Sequence, residues 1–308
     1  MSFFRQSKKS NFDVLSGYSW DTPGPAGVFG LAGLLLLGAL LGNIASLVMI
    51  KIFGPEAGSE YGMLISYPLM FIPAMMFSHN RSINMRFMSE PGYAIDSNNF
   101  GGIKAVWIIL MCMMATLAMS FVMDPINIVM PPMPEWLEAA LEQMTSGNFI
   151  LNFICVSLMA PFFEEWLCRG MVLRGLLNYR KVGTDKRGMH PAAAIVISAL
   201  FFAIIHMNPW QAVPAFLMGS LFGYVYYKTG SLKLTMLMHF TNNTFALILG
   251  QTQLGDNSGF YEIMPTGLYV VTVIAAVLLT ILFVNSLRKI KTQSPQGNCD
   301  YIIEEGGE

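Results

Sequence analysis

The stretch "PFFEEWLCRG", residues 161–170, places two adjacent glutamates and an arginine directly after the apolar run "NFILNFICVSLMA". Inside a bilayer each such charge costs about 2.5–3.5 kcal/mol on insertion scales, so a chain keeps them for packing, transport or chemistry. Other apolar segments hold further polar groups: His206 in "SALFFAIIHM", and His239 and Asn243 in "MLMHFTNNTF". Helical spacing sorts them. Glu165 and Arg169 are four apart, so they share a face and can pair. His239 and Asn243 repeat that spacing, as do Phe202 and His206. Glu164 is rotated from Glu165 by about 100° on a helix. One carboxylate can thus be held by the arginine while the other faces a different neighbour.

This set can perform hydrolysis. A carboxylate in a low-dielectric pocket accepts a proton from water and later returns it. A nearby histidine orients that water or protonates a leaving amine. Asn and His side chains donate hydrogen bonds to a developing oxyanion. Because Glu165 is matched to Arg169, Glu164 is the better candidate for the base.

Other uses of the same residues stand beside this one. The groups could pair only with each other, as bonds between helices worth below about 1 kcal/mol each. That is a small return for two carboxylates and a guanidinium. Two histidines and a glutamate could hold zinc with a position left for water. However, the sequence lacks HExxH, the histidines lie in separate segments, and Asn is a weak zinc ligand. No cofactor is therefore expected. A proton-coupled carrier could use Glu164 and the histidines as a relay, but such proteins often show two related halves and none is visible. A non-catalytic membrane chaperone or immunity protein on the same fold is the remaining alternative.

The elements that must position these groups follow from composition. Of 308 residues, 54% are hydrophobic and only 12% are charged, against about 25% charged in soluble domains. The sequence reads as an all-α, polytopic membrane protein with about eight transmembrane helices. They run roughly over 28–50, 61–78, 104–123, 149–172, 191–207, 211–227, 233–250 and 266–287, each near the ~20 residues a bilayer core requires. Residues 134–146 are too polar to span. They place Trp136, Leu137, Ala140, Leu141 and Met144 near one face of an interfacial helix.

The connecting segments carry an orientation. Lysines and arginines such as Arg5, Lys8, Arg81, Arg180, Lys228 and Arg288 gather on one side, while Glu56, Glu60, Asp124, Glu138 and Glu262 gather on the other. By the positive-inside rule both termini are cytoplasmic. Residues 1–20 show no cleavable signal peptide. The four cysteines form no CxxC, the 24 methionines show no clustered spacing, and no basic patch suggests nucleic acid. Gly38/Gly42 and Gly219/Gly223 are GxxxG pairs, expected to serve packing within the chain. His190, in a basic loop, is expected to be solvated. Straight ideal helices would set Glu164, His206 and His239 at unequal depths. A single site therefore needs the helix after Asn148 to continue past Arg174, or the next one to start later than Pro191.

The three motifs together resemble a family. "EEWLCR" matches EExxxR at Glu164, Glu165 and Arg169; "FAIIH" matches FxxxH at Phe202 and His206; "HFTNN" matches HxxxN at His239 and Asn243. Their order and spacing are similar to those of the CAAX protease and bacteriocin-processing enzymes, also called the Abi family. The resemblance covers residues 148–250 and implies an intramembrane endopeptidase with a helical core. It implies that Glu164 activates water, that His206 assists, and that His239 and Asn243 stabilise the oxyanion. The glutamic-type mechanism is preferred over the metallo-type, for the ligand reasons given above. The partners would be membrane-associated protein or peptide substrates and the lipid bilayer, in a bacterial plasma membrane. The expected organisation is a cytoplasmic N-terminal segment (1–27), N-terminal transmembrane helices with the interfacial helix (28–147), and the catalytic core (148–250). The last transmembrane helix (251–291) and a polar cytoplasmic tail (292–308) complete it.

Overall fold

The computed structural model describes residues 24–84, 93, 95–139, 147–179, 188–252 and 259–292, and among these it is all-helical. Eight main helices follow in chain order. They are α1 (Gly24–Phe53), α2 (Pro55–Asn84), α3 (Ala105–Met123), α4 (Phe149–Leu177), α5 (Pro191–Ile204), α6 (Pro209–Thr229), α7 (Leu232–Gly250) and α8 (Thr266–Arg288). All eight expected segments are helices. Five of them, α1, α2, α3, α4 and α8, are long and apolar enough to cross a membrane. The count of eight spans does not carry over in that sense. α5 is apolar but has only 14 residues. α6 and α7 have the length, but Gln211, Lys228, Lys233, His239, Asn242 and Asn243 interrupt their apolar character.

Local chemistry starts and stops these helices. Asn148 accepts hydrogen bonds from Ile150 N at 3.0 Å and Leu151 N at 3.3 Å, opening α4. Asn208 accepts from Gln211 N at 2.8 Å and Ser231 from Leu234 N at 3.3 Å, opening α6 and α7. These are side-chain caps on otherwise unpaired N–H groups. Gly230, at φ 66°, ends α6 in the left-handed region that glycine enters without strain.

α4 is the central helix. In its most apolar stretch 44% of residues are buried, against 17% in α1 and α8. One apolar cluster joins Trp166, Leu167 and Met171 of α4 to Leu31, Phe71 and Phe202. A second joins α3, α6, α7 and α8 through Ile108, Phe222, Met238 and Phe283. The glycine pairs pack helices within the chain. A methyl on Gly38 would fall 2.0 Å from the Met70 carbonyl oxygen, and one on Gly223 would sit 3.1 Å from Ile195.

A strap at residues 95–99 ties the α6–α7 turn. Ser97 N and Asn99 N donate to Gly230 O and Thr229 O at 2.8 and 3.0 Å. The Asp96 carboxylate accepts from Leu232 N at 2.8 Å and pairs with Lys233 at 2.9 Å. Of the expected interfacial helix, residues 135–139 are helical, with Trp136 exposed and Leu137 buried. Ala140, Leu141 and Met144 lie outside the described residues, as do both chain ends.

Candidate active site

α4 is not a uniform α-helix. It holds two π-helical stretches, Phe153–Met159 and Trp166–Leu173, with the α-helical stretch Ala160–Glu165 between them. Single π turns widen a helix locally and often mark functional positions. Here they flank the segment that carries both glutamates. α4 continues to Leu177, past Arg174, and α5 begins at Pro191. Of the two adjustments that a single site required, the structure takes the first.

Glu165 and Arg169 form the buried base of the cluster. Both side chains are fully buried, and Arg169 Nη1 donates to Glu165 Oε1 at 2.7 Å. Arg169 Nη2 donates to the Gly219 carbonyl of α6 at 2.9 Å. The guanidinium carbon lies 4.7 Å from the centre of the Phe202 ring and 5.5 Å from that of Phe222. A guanidinium over aromatic faces gains cation–π attraction that strengthens away from water. Gly219 permits this approach, since a methyl there would sit 3.1 Å from Nη2 and 3.0 Å from Phe202.

His239 of α7 joins on the other side. Its Nδ1 lies 3.0 Å from Glu165 Oε1, the oxygen that also takes Arg169. A carboxylate can only accept, so Nδ1 carries the hydrogen. Its Nε2 then points at Glu164 Oε2, 3.9 Å away. Glu164 is oriented differently from its neighbour. Its Oε1 accepts the hydroxyl of Tyr67 from α2. Its Oε2 has no hydrogen-bond partner among the described residues, and the side chain keeps 13% exposure.

His206 lies in the turn after α5. Its Nδ1 donates to Phe202 O at 2.7 Å, since a carbonyl can only accept. Its ring meets Phe202 edge-on at 4.9 Å, and the Phe202 ring meets His239 edge-on at 5.5 Å. Phe202 thus touches Arg169, His206 and His239 together. The following residue, Met207, has φ 57°, the one non-glycine among the described residues in the left-handed region. Asn208 braces this turn by donating to His206 O at 3.0 Å.

Asn243 bonds back to α4. Its Nδ2 donates to Val156 O at 2.8 Å, and its Oδ1 accepts from Asn242 at 3.1 Å. The reason lies in the first π stretch. Ala160 N bonds Cys155 O, and the next donor in that register would be residue 161, which is proline. Val156 O is left without its backbone donor, and the Asn243 amide supplies one.

The structure therefore joins Glu165, Arg169 and His239 through direct polar contacts and sets Glu164 Oε2 3.9 Å from His239 Nε2. It links His206 to them through Phe202, and ties Asn243 to the same helix two turns before the glutamates. His190 is exposed, as expected. Cys112, Cys155 and Cys168 are buried and unpaired, while Cys299 lies outside the described residues. Among the described residues no group of three His, Cys, Asp or Glu side chains is arranged to hold a metal ion. Sequence reasoning missed Tyr67, Gly219 and Asn208. Gly219 alone carried a signal, its place in a GxxxG pair.

The site lies within a helical segment whose sequence is similar to that of CAAX proteases. Residues 146–245 match the family model described as type II CAAX prenyl endopeptidase Rce1-like, consistent with the CAAX protease and bacteriocin-processing family. The matched segment runs from just before α4 into α7 and contains all three motifs. No curated protein and no solved structure matches the chain. The family match supports a membrane protease acting on membrane-associated peptide substrates.

Proposed function

We propose that the chain is an intramembrane endopeptidase in which Glu164 activates the water that cleaves a peptide bond. The observation that carries this reading is the different state of two adjacent carboxylates. Glu165 is buried, and its Oε1 is taken by Arg169 and His239. Glu164 keeps one oxygen on Tyr67 and turns the other toward His239 Nε2 across 3.9 Å. That gap is too long for a direct hydrogen bond and suits an oxygen atom of water or substrate.

The reaction follows from these positions. Glu164 Oε2 takes a proton from water as the water oxygen attacks the scissile carbonyl carbon. The carbonyl oxygen becomes an oxyanion, which meets the second N–H of the Asn243 amide and the Nε2–H of His239 in its imidazolium form, since the Nδ1 hydrogen is held by Glu165. His206 holds the attacking water through Nε2, which faces away from its bond to Phe202. Glu164 then delivers its proton to the amide nitrogen as the C–N bond breaks. An amine and a carboxylic acid leave, and Glu164 is again a carboxylate. Glu165 and Arg169 keep the helix face and the local charge fixed.

This mechanism is of the glutamic type and needs no metal. The substrate is a membrane-associated protein or peptide presented as an unfolded or extended segment, because an intact helix shields its peptide bonds. The distribution of Lys and Arg supports both termini being cytoplasmic, and the short loops favour a bacterial plasma membrane. The test compares new peptide termini across the proteome in cells carrying the wild type or Glu164→Gln at matched membrane levels. Termini lost only in the mutant identify both reaction and substrates. Identical termini would move the reading to a proton-coupled carrier or a non-catalytic chaperone.

A further inference from the structure

We propose that Tyr67 is a positioning residue for Glu164, and that its grip on Oε1 makes Oε2 the atom that takes the proton from water. The inference rests on the protease reading above and adds to it a residue from outside the matched segment. Tyr67 belongs to α2, and 97 positions separate it from Glu164. Three observations support it.

The first is the hydrogen bond itself. A phenol has a single hydrogen to donate, and Tyr67 gives it to Glu164 Oε1. That hydrogen is committed, so Tyr67 acts through the carboxylate and not on the substrate. The second is the mounting of Tyr67. Its ring packs against Phe71 at 5.6 Å, and the fully buried Phe71 stacks on Phe163 at 5.1 Å with 15° between the planes. Phe163 is the residue before Glu164. α2 is thus registered on α4 at the glutamate itself, and the hydroxyl arrives in a fixed place.

The third observation is the asymmetry of the carboxylate. A glutamate side chain has several rotatable bonds and two equivalent oxygens. Holding Oε1 removes that equivalence and stops the head group from rotating. Oε2 is then left toward His239 Nε2, without a hydrogen-bond partner among the described residues. Small misplacements of a reacting group are costly to rate. The bond reaches only the carboxylate, so its loss is expected to show in kcat and not in KM.

The experiment uses the full chain in bilayer nanodiscs. The probe is an internally quenched peptide built on the sequence of a terminus that Glu164→Gln abolishes in cells. Tyr67→Phe keeps the ring and removes the hydroxyl. It is expected to lower kcat by about 10- to 100-fold, the range for a hydrogen bond to a charged group, while KM and the melting temperature stay unchanged. Phe71→Leu loosens the packing but keeps the hydroxyl, and is expected to retain most of kcat. If Tyr67→Phe fails to accumulate, fluorotyrosine at position 67 replaces it. That residue is a stronger donor and is expected to shift kcat at constant KM.

An unchanged kcat in Tyr67→Phe, or in the fluorotyrosine protein, overturns the proposal and leaves the protease reading intact. So does an equal loss in Phe71→Leu, which would make the effect one of packing. If cells show no terminus that depends on Glu164, the protease reading itself fails and Tyr67 has no reaction to position.

Discussion

His239 Nδ1 and Glu165 Oε1 lie 3.0 Å apart in a fully buried environment, and the same oxygen accepts Arg169 at 2.7 Å. One carboxylate oxygen therefore binds the guanidinium of its own helix and the imidazole of α7. The bond fixes the tautomer of His239 and turns Nε2 toward Glu164. Two adjacent glutamates with the same chemistry are thereby given different tasks by their surroundings.

That difference can be tested by conservative substitution. Glu165→Gln leaves Arg169 buried without its counter-charge, and breaking a buried pair this way costs about 3–5 kcal/mol. The variant should show a much lower melting temperature and poor accumulation in the membrane. Glu164→Gln removes no such partner. It should fold normally and lose activity by about 10²- to 10⁴-fold, the usual share of a general base. Thermal melts and cleavage assays on the two purified variants separate the cases.

Gly219 tests the packing around the guanidinium. A methyl at this position meets Arg169 Nη2 at 3.1 Å and Phe202 at 3.0 Å. Gly219→Ala should destabilise the protein by about 1–3 kcal/mol through overpacking, with a larger loss for Gly219→Val. Gly250 has open space around it, so Gly250→Ala serves as a control with little effect on the melting temperature.

Much of this site was legible because its motifs are local. Glu165/Arg169, Phe202/His206 and His239/Asn243 are each four apart, and helical geometry alone puts each pair on one face. The extent of the helices was legible too, because apolar runs bounded by Asn, Pro, Gly and Ser mark their ends. Tyr67 was not legible. It is one tyrosine in an apolar span, and its partner is 97 positions away. The π stretches of α4 leave no mark in composition, so the attachment of Asn243 to Val156 was hidden as well. The eight-span expectation took each mainly apolar run near 20 residues as a span, polar residues included, and five of the eight helices are long and apolar enough to cross a membrane. The polar groups of α7, Asn242 and Asn243 among them, hydrogen-bond within the protein.

Metal removal addresses the choice between mechanisms. Activity of the purified chain should survive chelator treatment, and elemental analysis should find no stoichiometric metal. Loss of activity on chelation, restored by zinc, would replace the glutamic mechanism with a metal-activated water.

Asn243 offers the most discriminating test, because its structural and chemical tasks can be separated. Its amide supplies the donor that Pro161 cannot give to Val156 O. Asn243→Ala should leave that carbonyl unpaired, at about 1–3 kcal/mol, and should also remove an oxyanion donor worth about 10²- to 10³-fold in rate. Pro161→Ala restores an N–H in the register of the π stretch. The double variant Asn243→Ala/Pro161→Ala should therefore recover the melting temperature but not the activity. If activity returned with stability, Asn243 would be a structural brace alone, and oxyanion stabilisation would rest on His239.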